Sequence, residues 1–379
     1  MRAILSTILV RDPLDKYVVL VTLALSAVGV VAVYSAISYL ADTKAGGDTS
    51  GLLAGHVMRV GLALGVMAVV SFIDYRVIAR FGKVLLIGSL GLLVVVKIAG
   101  VASGGATRWL DLGPLRFQPS DLARVSLILY AAWMLAKKQT YIGSFSRAFA
   151  PLLFWMIVTG ALIGMEDLST ALVVLTAVGT MGFVARVKIW QLLAVAGIVL
   201  TLGYGLLLTS PERAARVEAF VGVKMFPNTS GEDVNSDKGE GYQARQAKIA
   251  IAMGGLTGKG PGKSTQRNFL PEAYNDFIFA IIAEEYGAAG ALGVLALLMA
   301  FLFRGFLRIA RHAPDPLGLF LAVGLTSAIA IYGFANAGVA SGLLPVTGLP
   351  LPFVSYGGTS MLVSGAMVGM LLNISRQLR

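Results

Sequence analysis

The chain has 379 residues, of which 56% are hydrophobic and only 13% charged, and its formal net charge is +11. A soluble domain needs a polar surface that this composition cannot supply, so a soluble fold is excluded. The chain contains no cysteine and only two histidines, His56 and His312, far apart in sequence, which excludes disulfides and thiolate metal sites and argues against a zinc site.

Apolar blocks long enough to cross a bilayer, which takes about 20 helical residues, recur along the whole chain. They predict ten transmembrane helices, near residues 17–40, 54–73, 83–102, 120–136, 149–165, 168–185, 191–209, 276–303, 316–337 and 358–375. The first block exceeds the apolar region of a cleavable signal, about 7–15 residues, so we expect a retained helix. The expected fold class is an all-α polytopic membrane protein, with residues 1–379 forming a single membrane domain.

Lysine and arginine predict the orientation of these helices. If residues 1–16 are cytoplasmic, the segments on that side carry most of the basic residues, whereas the short outer loops hold only Lys44, Arg108 and Arg116. This distribution follows the positive-inside rule. We therefore expect both termini, including the tail 376–379, to be cytoplasmic, with one large extracytoplasmic loop (residues 210–275) between the seventh and eighth helices. The basic excess is then a topology signal, and nucleic acid is not needed to explain it.

Two short stretches look like known sequence motifs but lack the surrounding features that those motifs require. GKGPGKST at 258–265 looks like a phosphate-binding loop, but a Walker loop needs a glycine five positions before its Gly-Lys pair, where Thr257 stands. LPVTG at 344–348 looks like a cell-wall sorting signal, but sorting substrates carry a single C-terminal span behind a soluble body. We predict neither a nucleotide site nor a sorting signal.

Polar and irregular segments collect on the predicted outer side of the membrane. They are residues 104–124, 165–170, 269–277 and 342–360. Irregular backbone near membrane depth is tolerated where it is buried in protein or lines a wet cavity. These segments therefore predict a shared extracytoplasmic cavity.

Asp276 lies where the large loop ends and the apolar run of the eighth helix begins. An aspartate at this place is either a helix N-cap or a general base in a partly desolvated cleft. Glu272, four residues earlier, either positions a substrate or faces water.

Other acidic residues lie within or beside the spans. Asp121 and Arg124, three residues apart at the start of the fourth helix, are expected to form a structural ion pair, because either would be costly alone at membrane depth. Glu284 and Glu285 are expected to line the cavity or bridge helices. Asp167 is expected to cap a helix or to accept a hydrogen bond between loops.

The outer loops also contain a tryptophan and several basic residues. Trp109 is either an interfacial anchor or part of a sugar-stacking surface. The basic residues are either solvated groups or cations that stabilise charge developing on a leaving diphosphate. The candidates for substrate binding are Arg108, Lys259, Lys263 and Arg267, with Gln266 in the same loop.

Four motifs, in order along the chain, resemble the SEDS family (shape, elongation, division and sporulation) of bacterial cell-wall proteins. They are GATRWLDLGPLRFQPSDLAR, MEDLSTA, GGLTGKGPGKSTQRNFLPEAYNDFIFAIIAEEYG and NAGVASGLLPVTGLPLPFVSYGGTS. The resemblance covers about residues 17–375. The stretch GPGKSTQRNFLPEAYNDF is more similar to the division type, FtsW, than to the elongation type, RodA.

The resemblance implies a SEDS-type fold and a peptidoglycan glycosyltransferase that polymerises lipid II on the outer face of the cytoplasmic membrane. Asp276 matches the family's catalytic aspartate, which would deprotonate the 4-hydroxyl of the acceptor GlcNAc for inverting attack on C1 of the donor MurNAc. Trp109 matches a tryptophan important to the family, and a divalent cation, Mg²⁺ or Mn²⁺, would assist the leaving diphosphate.

The resemblance also implies partners and a location. The expected partners are lipid II, a class B penicillin-binding protein and other proteins of the division machinery. The expected location is the inner membrane, at the division septum. Three alternatives remain open: a RodA-like elongation polymerase, a lipid II flippase, and a division scaffold whose cavity is vestigial.

Overall fold

The computed structural model describes residues 14–37, 49–99, 101–103, 106–111, 116–227, 229, 240–270 and 273–378. Its α-helices are α1 (Lys16–Ala36), α2 (Thr49–Phe72), α3 (Tyr75–Arg80), α4 (Gly82–Ala99), α5 (Pro119–Lys137), α6 (Ala150–Gly164), α7 (Leu168–Val184), α8 (Ile189–Thr209), α9 (Pro211–Val221), α10 (Glu240–Gly254), α11 (Ile278–Phe303), α12 (Pro316–Ser341) and α13 (Thr359–Ser375). A short 3₁₀ turn lies at Gln139–Tyr141, and π-helical turns at Phe145–Phe149 and Arg304–Ala310 precede α6 and follow α11.

Each of the predicted spans overlaps a helix in the structure, although the span predicted at 83–102 extends past the end of α4 at Ala99. Within the described residues, six helical segments are long and apolar enough to cross a membrane, and they lie at Lys16–Ala36, Thr49–Phe72, Phe145–Gly164, Ile189–Thr209, Ile278–Ala310 and Pro316–Ser341. The helices α7 and α13 are apolar but shorter. The chain is therefore a multi-pass helical membrane protein, whereas ten crossings, cytoplasmic termini and the side of the large loop stay predictions.

A small antiparallel sheet lies between α4 and α5, in the order β1 (Val101–Ser103), β2 (Ala106–Asp111) and β3 (Arg116–Phe117). Val101 pairs with Trp109, and Leu110 pairs with Phe117. The all-α class that the sequence predicts does not include this sheet. Strands this short, separated by glycine and proline, give no alternating pattern to recognise, yet their pairing satisfies backbone groups between two membrane helices.

The helix α12 occupies the centre of the fold, whereas α8 lies at its periphery. In their most apolar stretches, 78% of α12 is buried but only 6% of α8. Leu321 and Val323 of α12 share one hydrophobic core with Ile128 of α5 and Val178 of α7. The side chains of α8 are mostly exposed on the outside of the helix bundle, the surface that meets lipid in a membrane protein.

The helices α2 and α13 cross with their backbones in contact. A Cβ atom added to Gly365 would clash with the carbonyl oxygen of Ala63, and one added to Gly369 would clash with that of Met67. Small residues at such crossings let two membrane helices approach closely. No side-chain layer therefore separates the two helices at these points.

A buried amide joins the predicted cytoplasmic ends of the same two helices. The side chain of Asn373 is fully buried, donates to the carbonyl oxygen of Ser71 (3.0 Å) and accepts from the backbone N–H of Tyr75 (3.0 Å). The pair α2 and α13 is thus held both along its length and at this end.

Two aspartates begin helices on the predicted cytoplasmic side and bind arginines. Asp15 caps α1 and accepts from Arg304 Nε (2.8 Å). Asp315 caps α12 through the Gly318 N–H (2.7 Å) and accepts from Tyr75 and from Arg76 Nε (2.7 Å). These contacts tie α1 to the π-helical turn after α11, and α3 to α12, where apolar packing ends.

Burial acts to raise the pKa of the Asp315 carboxyl, but hydrogen bonds from the Gly318 N–H, Tyr75 and Arg76 outweigh it and hold that pKa below its ordinary value. A carboxylate whose folded-state pKa is lowered stabilises the fold above its unfolded-state pKa. This contribution is lost as the pH falls through the folded-state pKa.

Replacement of Asp315 by alanine should lower the free energy of unfolding by about 1–2 kcal/mol, because α12 loses its cap. Asparagine keeps the cap acceptor and loses only the charge, so Asp315→Asn should cost about 0.2–1 kcal/mol, the range for ion pairs near the protein surface. Thermal unfolding in detergent at several pH values measures both. The difference in unfolding free energy between wild type and Asp315→Asn should decrease only below about pH 4. If that difference has already disappeared at about pH 5, the pKa of Asp315 is not lowered.

Candidate active site

Asp276 lies directly before the helix α11, in a turn that spans residues 273–277, and its side chain is half-buried. The N-cap position of α11 is Phe277, so Asp276 lies one residue before the cap. The turn extends one residue further than the apolar pattern suggested. The N-cap interpretation of Asp276 therefore does not describe this helix, and its carboxylate lies at the helix entrance.

The main chain at Asp276 is held by a buried amide from the centre of the fold. Asn336 of α12 is fully buried, and its Nδ2 donates to the carbonyl oxygens of Asp276 and of Leu349, at 2.8 Å each. The neighbouring Gly348 has a φ of 70°, and a Cβ atom there would lie 3.4 Å from Asp276 Oδ2. The α12–α13 segment (residues 342–358) thus passes directly beside the carboxylate.

The same segment binds the residues that precede Asp276. Ser355 Oγ donates to the carbonyl oxygen of Asn275 (2.6 Å) and accepts from the Leu351 N–H (2.8 Å). The Tyr356 N–H donates to the carbonyl oxygen of Tyr274 (2.9 Å). Three consecutive residues, 274–276, therefore bind through their main chain to α12 or to the α12–α13 segment.

The predicted ion pair of Asp121 and Arg124 is present and buried. Arg124 Nη2 lies 3.4 Å from Asp121 Oδ1, with side-chain exposures of 3% and 5%. The Arg124 guanidinium also lies 4.3 Å from the ring centroid of Tyr332, whose hydroxyl donates to Thr170 Oγ1 (3.1 Å). Thr170 in turn donates its hydroxyl (3.0 Å) and its N–H (3.0 Å) to Asp167, the N-cap of α7.

This polar network extends to α13 through Thr359. Its hydroxyl donates to Asp121 Oδ2 (3.2 Å) and accepts from the Gln118 N–H (3.3 Å). Buried polar groups cost free energy unless they are hydrogen-bonded. The network satisfies them while joining α5, α7, α12 and α13, so it supports the architectural role expected for the pair.

The helix α11 is broken at Gly287, where φ is 65° and ψ is −162°. The glycine-rich stretch 254–260, here called the glycine clasp, bonds to the broken turn: the Lys259 N–H donates to the carbonyl oxygen of Glu284 (3.0 Å), and the Gly260 N–H to that of Glu285 (2.9 Å). A Cβ atom on Gly258 would clash with the carbonyl oxygen of Glu285. Gly258 of the GKGPGKST motif therefore permits close approach of the loop backbone to the broken helix.

The carboxylate of Glu284 is fully buried under the same loop. It accepts from Lys259 Nζ (2.6 Å), from the N–H groups of Thr265 (3.1 Å) and Gln266 (3.2 Å), and from the hydroxyl of Ser264. A buried charge needs both an opposite charge and hydrogen bonds. Lys259 supplies the first and the loop supplies the second, so Glu284 bridges α11 to the large loop.

Glu285 connects the same loop to α1. It accepts from the hydroxyl of Ser35 at the end of α1 and from the Ser264 N–H (3.2 Å). Arg267 Nη1 donates to the carbonyl oxygen of Ser35 (3.2 Å) and to that of Gly262 (3.0 Å). Both glutamates thus bridge structural elements, one of the two roles expected from the sequence.

The predicted substrate-binding residues differ in their burial and in their bonding partners. Lys259 is engaged with Glu284, Gln266 is buried, and Lys263 is exposed. Trp109 is half-buried in β2. Arg108 lies in the same strand with its side chain outside the described part of the structure, and Glu272 lies outside the described residues altogether.

Two of the residues that fix the site were not predicted from the sequence. Asn336 and Tyr356 both lie within the fourth motif, but nothing in their spacing indicated contact with residues 274–276, far along the chain. In the part of the chain that the structure describes, no group of three or more acidic or histidine side chains could hold a metal ion. The expected divalent cation stays a prediction.

Three comparisons relate the chain to known proteins. A family profile named for FtsW, RodA and SpoVE and described as cell cycle protein matches residues 15–379. The chain is 37% identical over 369 residues to the probable peptidoglycan glycosyltransferase FtsW of Geobacter sulfurreducens, with 96% of each chain covered. It is also 37% identical over 370 residues to the stage V sporulation protein E of Bacillus subtilis, covering 96% of this chain and 98% of that one.

Solved structures show the same fold. A chain of a peptidoglycan synthase complex that coordinates polymerization and crosslinking aligns with a TM-score of 0.76 and 28% identity, covering 96% of this chain and 98% of that one. The rod shape determining protein RodA of Thermus thermophilus aligns with a TM-score of 0.69 and 27% identity, covering 96% and 97%.

The glycine clasp can be tested with two alanine substitutions in one loop. Gly258 and Gly262 both have a positive φ, of 80° and 74°, but a Cβ atom at Gly262 meets nothing within 4 Å. Gly262→Ala should therefore cost only the left-handed backbone penalty, about 1–2 kcal/mol. Gly258→Ala should cost about 1–3 kcal/mol more, because it also separates the loop from α11. Thermal unfolding of both variants in detergent measures the difference, and equal losses would show that the contact contributes nothing.

Proposed function

We infer the function from one premise: the chain belongs to the FtsW, RodA and SpoVE family of cell cycle proteins. It is a peptidoglycan glycosyltransferase, an enzyme of bacterial cell-wall synthesis. Relatives that carry this name over nearly the whole chain support the assignment, as does the fold shared with a peptidoglycan synthase complex.

The observation that carries the site assignment is the placement of Asp276. Its carboxylate is half-buried at the entrance of α11, beside Gly348, and the main chain around it is bonded to two other elements. A general base must be held within hydrogen-bond reach of the proton that it takes. A clamped backbone supplies that fixed position, and a half-buried side chain stays accessible to a substrate.

The proposed reaction joins two molecules of lipid II. The carboxylate of Asp276 takes the proton of the 4-hydroxyl of the acceptor GlcNAc, and the oxygen attacks C1 of the donor MurNAc. The bond from C1 to the diphosphate oxygen breaks with inversion at C1, which gives a β-1,4 linkage. Undecaprenyl diphosphate leaves with the bonding electron pair.

The remaining candidates take supporting roles in this proposal. Trp109, half-buried in β2, is the candidate for stacking on a sugar ring, and Arg108 and Glu272 stay candidates for polar contacts with the substrate. Lys263 is an exposed cation of the large loop, whereas the contacts of Lys259 and Gln266 favour a structural role. A divalent cation at the diphosphate remains a proposal from the family resemblance.

The cellular setting is also proposed. We assign the enzyme to the outer face of the inner membrane, in a complex with a class B penicillin-binding protein and other division proteins. The complex that coordinates polymerization with crosslinking supports the first partner. The division role has less support, since the chain is 37% identical both to an FtsW and to a sporulation protein.

Asp276→Asn should abolish glycan polymerisation, because asparagine keeps the shape of the side chain but accepts no proton. The assay uses the purified protein with its penicillin-binding partner and fluorescent lipid II, and a loss of about 10³-fold or more is expected for removal of a general base. Glu212→Gln, an exposed carboxylate-to-amide change on α9, is the matched control and should be fully active.

Normal polymer from Asp276→Asn would refute the role of that carboxylate. Movement of lipid II across proteoliposomes by the wild-type protein, with no polymer formed under any condition, would favour a flippase instead. Folding and partner binding of the variant are checked by size-exclusion chromatography of the complex.

A fluorescent fusion separates the division role from elongation. Septal synthesis predicts a signal concentrated at midcell in dividing cells. A signal spread along the sidewall would assign the enzyme to elongation without affecting the proposed chemistry.

A further inference from the structure

Arg59 lies near the centre of α2, a helix of 24 residues that is apolar enough to cross a membrane. A guanidinium at this depth is costly unless it is paired, and such residues mark functional sites by default. Arg59 takes part in none of the salt bridges observed among the described residues. The partner that would compensate its charge is therefore not a carboxylate from that part of the chain.

The contacts of Arg59 are aromatic instead. Its Nη2 donates to the Tyr356 hydroxyl (3.1 Å), and its guanidinium carbon lies 4.4 Å from the centroid of the same ring. His56, one turn earlier on α2 and fully buried, stacks on Tyr356 with a centroid separation of 5.5 Å. The Tyr274 ring meets Tyr356 edge-on at 5.6 Å. Arg59 and Tyr356 are thus fixed relative to each other.

This arrangement leaves hydrogen-bond donors available. A guanidinium carries five N–H donors, and the side-chain hydrogen bond to Tyr356 uses one of them, while the side chain of Arg59 remains half-buried and so partly accessible. The Tyr356 hydroxyl accepts from Arg59, so its own proton can be donated elsewhere. Two adjacent donors, one of them cationic, make a site for a phosphate oxygen.

Two cations that the sequence suggested for a diphosphate are already engaged. Lys259 binds the buried carboxylate of Glu284, and Arg267 donates to Ser35 and to the carbonyl oxygen of Gly262. By contrast, Arg59 has only an uncharged ring as its described partner. An anion would therefore gain more from Arg59 than from either of them.

The position of this pair relative to Asp276 gives it a role. Tyr356 belongs to the α12–α13 segment, and its N–H binds the carbonyl oxygen of Tyr274, two residues before Asp276. The donors of Arg59 and Tyr356 are consequently linked to the α12–α13 segment, which also binds the main chain beside the proposed base. A lipid-linked sugar diphosphate would present its phosphates toward the membrane and its sugar toward the aqueous side.

We propose that Arg59 and Tyr356 bind the phosphate groups of the polyprenyl diphosphate that carries the sugar substrate. This inference rests on the proposed function, because it assigns one end of the same substrate. Phosphate groups of bulk phospholipid share this chemistry, and the experiment separates the two sources. A purely structural cation–π contact would leave phosphate binding unchanged when Arg59 is replaced.

Direct binding of undecaprenyl diphosphate to the purified full-length protein in nanodiscs tests this site. The measurement is made in the Asp276→Asn background as well, so that it does not depend on catalysis. Arg59→Gln should weaken binding at least about 10-fold, a loss of about 1.4 kcal/mol. Arg59→Lys should weaken it less, because lysine keeps the charge but not the two-pronged geometry. Tyr356→Phe should weaken it severalfold.

Arg311→Gln, the same change at an exposed arginine in the turn between α11 and α12, is the control and should bind as wild type does. Undecaprenol, which lacks phosphate, should bind equally weakly to all variants. Unchanged binding in Arg59→Gln overturns the proposal. If that variant does not fold, unchanged binding in both Arg59→Lys and Tyr356→Phe overturns it.

Competition by phosphatidylglycerol identifies the source of the phosphate. Undecaprenyl diphosphate should remain bound in nanodiscs rich in phosphatidylglycerol, and equal competition by that lipid would overturn the assignment to substrate. If Asp276→Asn still polymerises lipid II, Asp276 is not the general base. Loss of diphosphate binding in Arg59→Gln would still support the phosphate site, because that measurement does not depend on catalysis.

Discussion

A polar group at membrane depth must find its partner inside the protein, and this constraint organises the contacts around α11. The break of α11 at Gly287 frees backbone groups that water cannot satisfy in a packed interior. The glycine clasp supplies their partners, and Lys259 neutralises the buried Glu284 at the same place. The large loop is therefore docked on the broken helix, and the turn that carries Asp276 follows directly from it.

The same constraint explains why the candidate site is assembled from distant segments. Asn336 lies on the central helix α12 and reaches both the Asp276 main chain and the α12–α13 segment. Ser355 repeats this arrangement one residue earlier. Each of these bonds satisfies a buried group and also fixes the entrance of α11, so packing and positioning are achieved by one set of contacts.

Much of the helical architecture could be predicted from the sequence, because apolar blocks of membrane length are a strong signal. The pair Asp121 and Arg124 could be predicted as well, since their spacing places both on one helix face. The sheet at 101–117 and the partners of Asp276 could not. Their pairings join residues whose separation along the chain leaves no local pattern, as with Asn336.

Arg59 shows a different limit of sequence reasoning. A lone arginine in the middle of an apolar block is visible in the sequence. Its significance depends on the absence of a carboxylate partner among the described residues, and on the ring of Tyr356 beside it. Only the fold supplies both facts. The same holds for GKGPGKST, which looks like a nucleotide motif until the contact of Gly258 with α11 is seen.

The backbone crossing of α2 and α13 has a mechanical consequence. At Gly365 and Gly369 the backbones of the two helices are in direct contact, with no side chains between them, and Asn373 joins their other ends by a hydrogen bond. Sliding of one helix past the other is sterically blocked, so a tilt of one must carry the other with it. A displacement of the end near Asn373 would therefore be transmitted about 20 Å along the pair, to the region where α2 carries Arg59 and α13 begins.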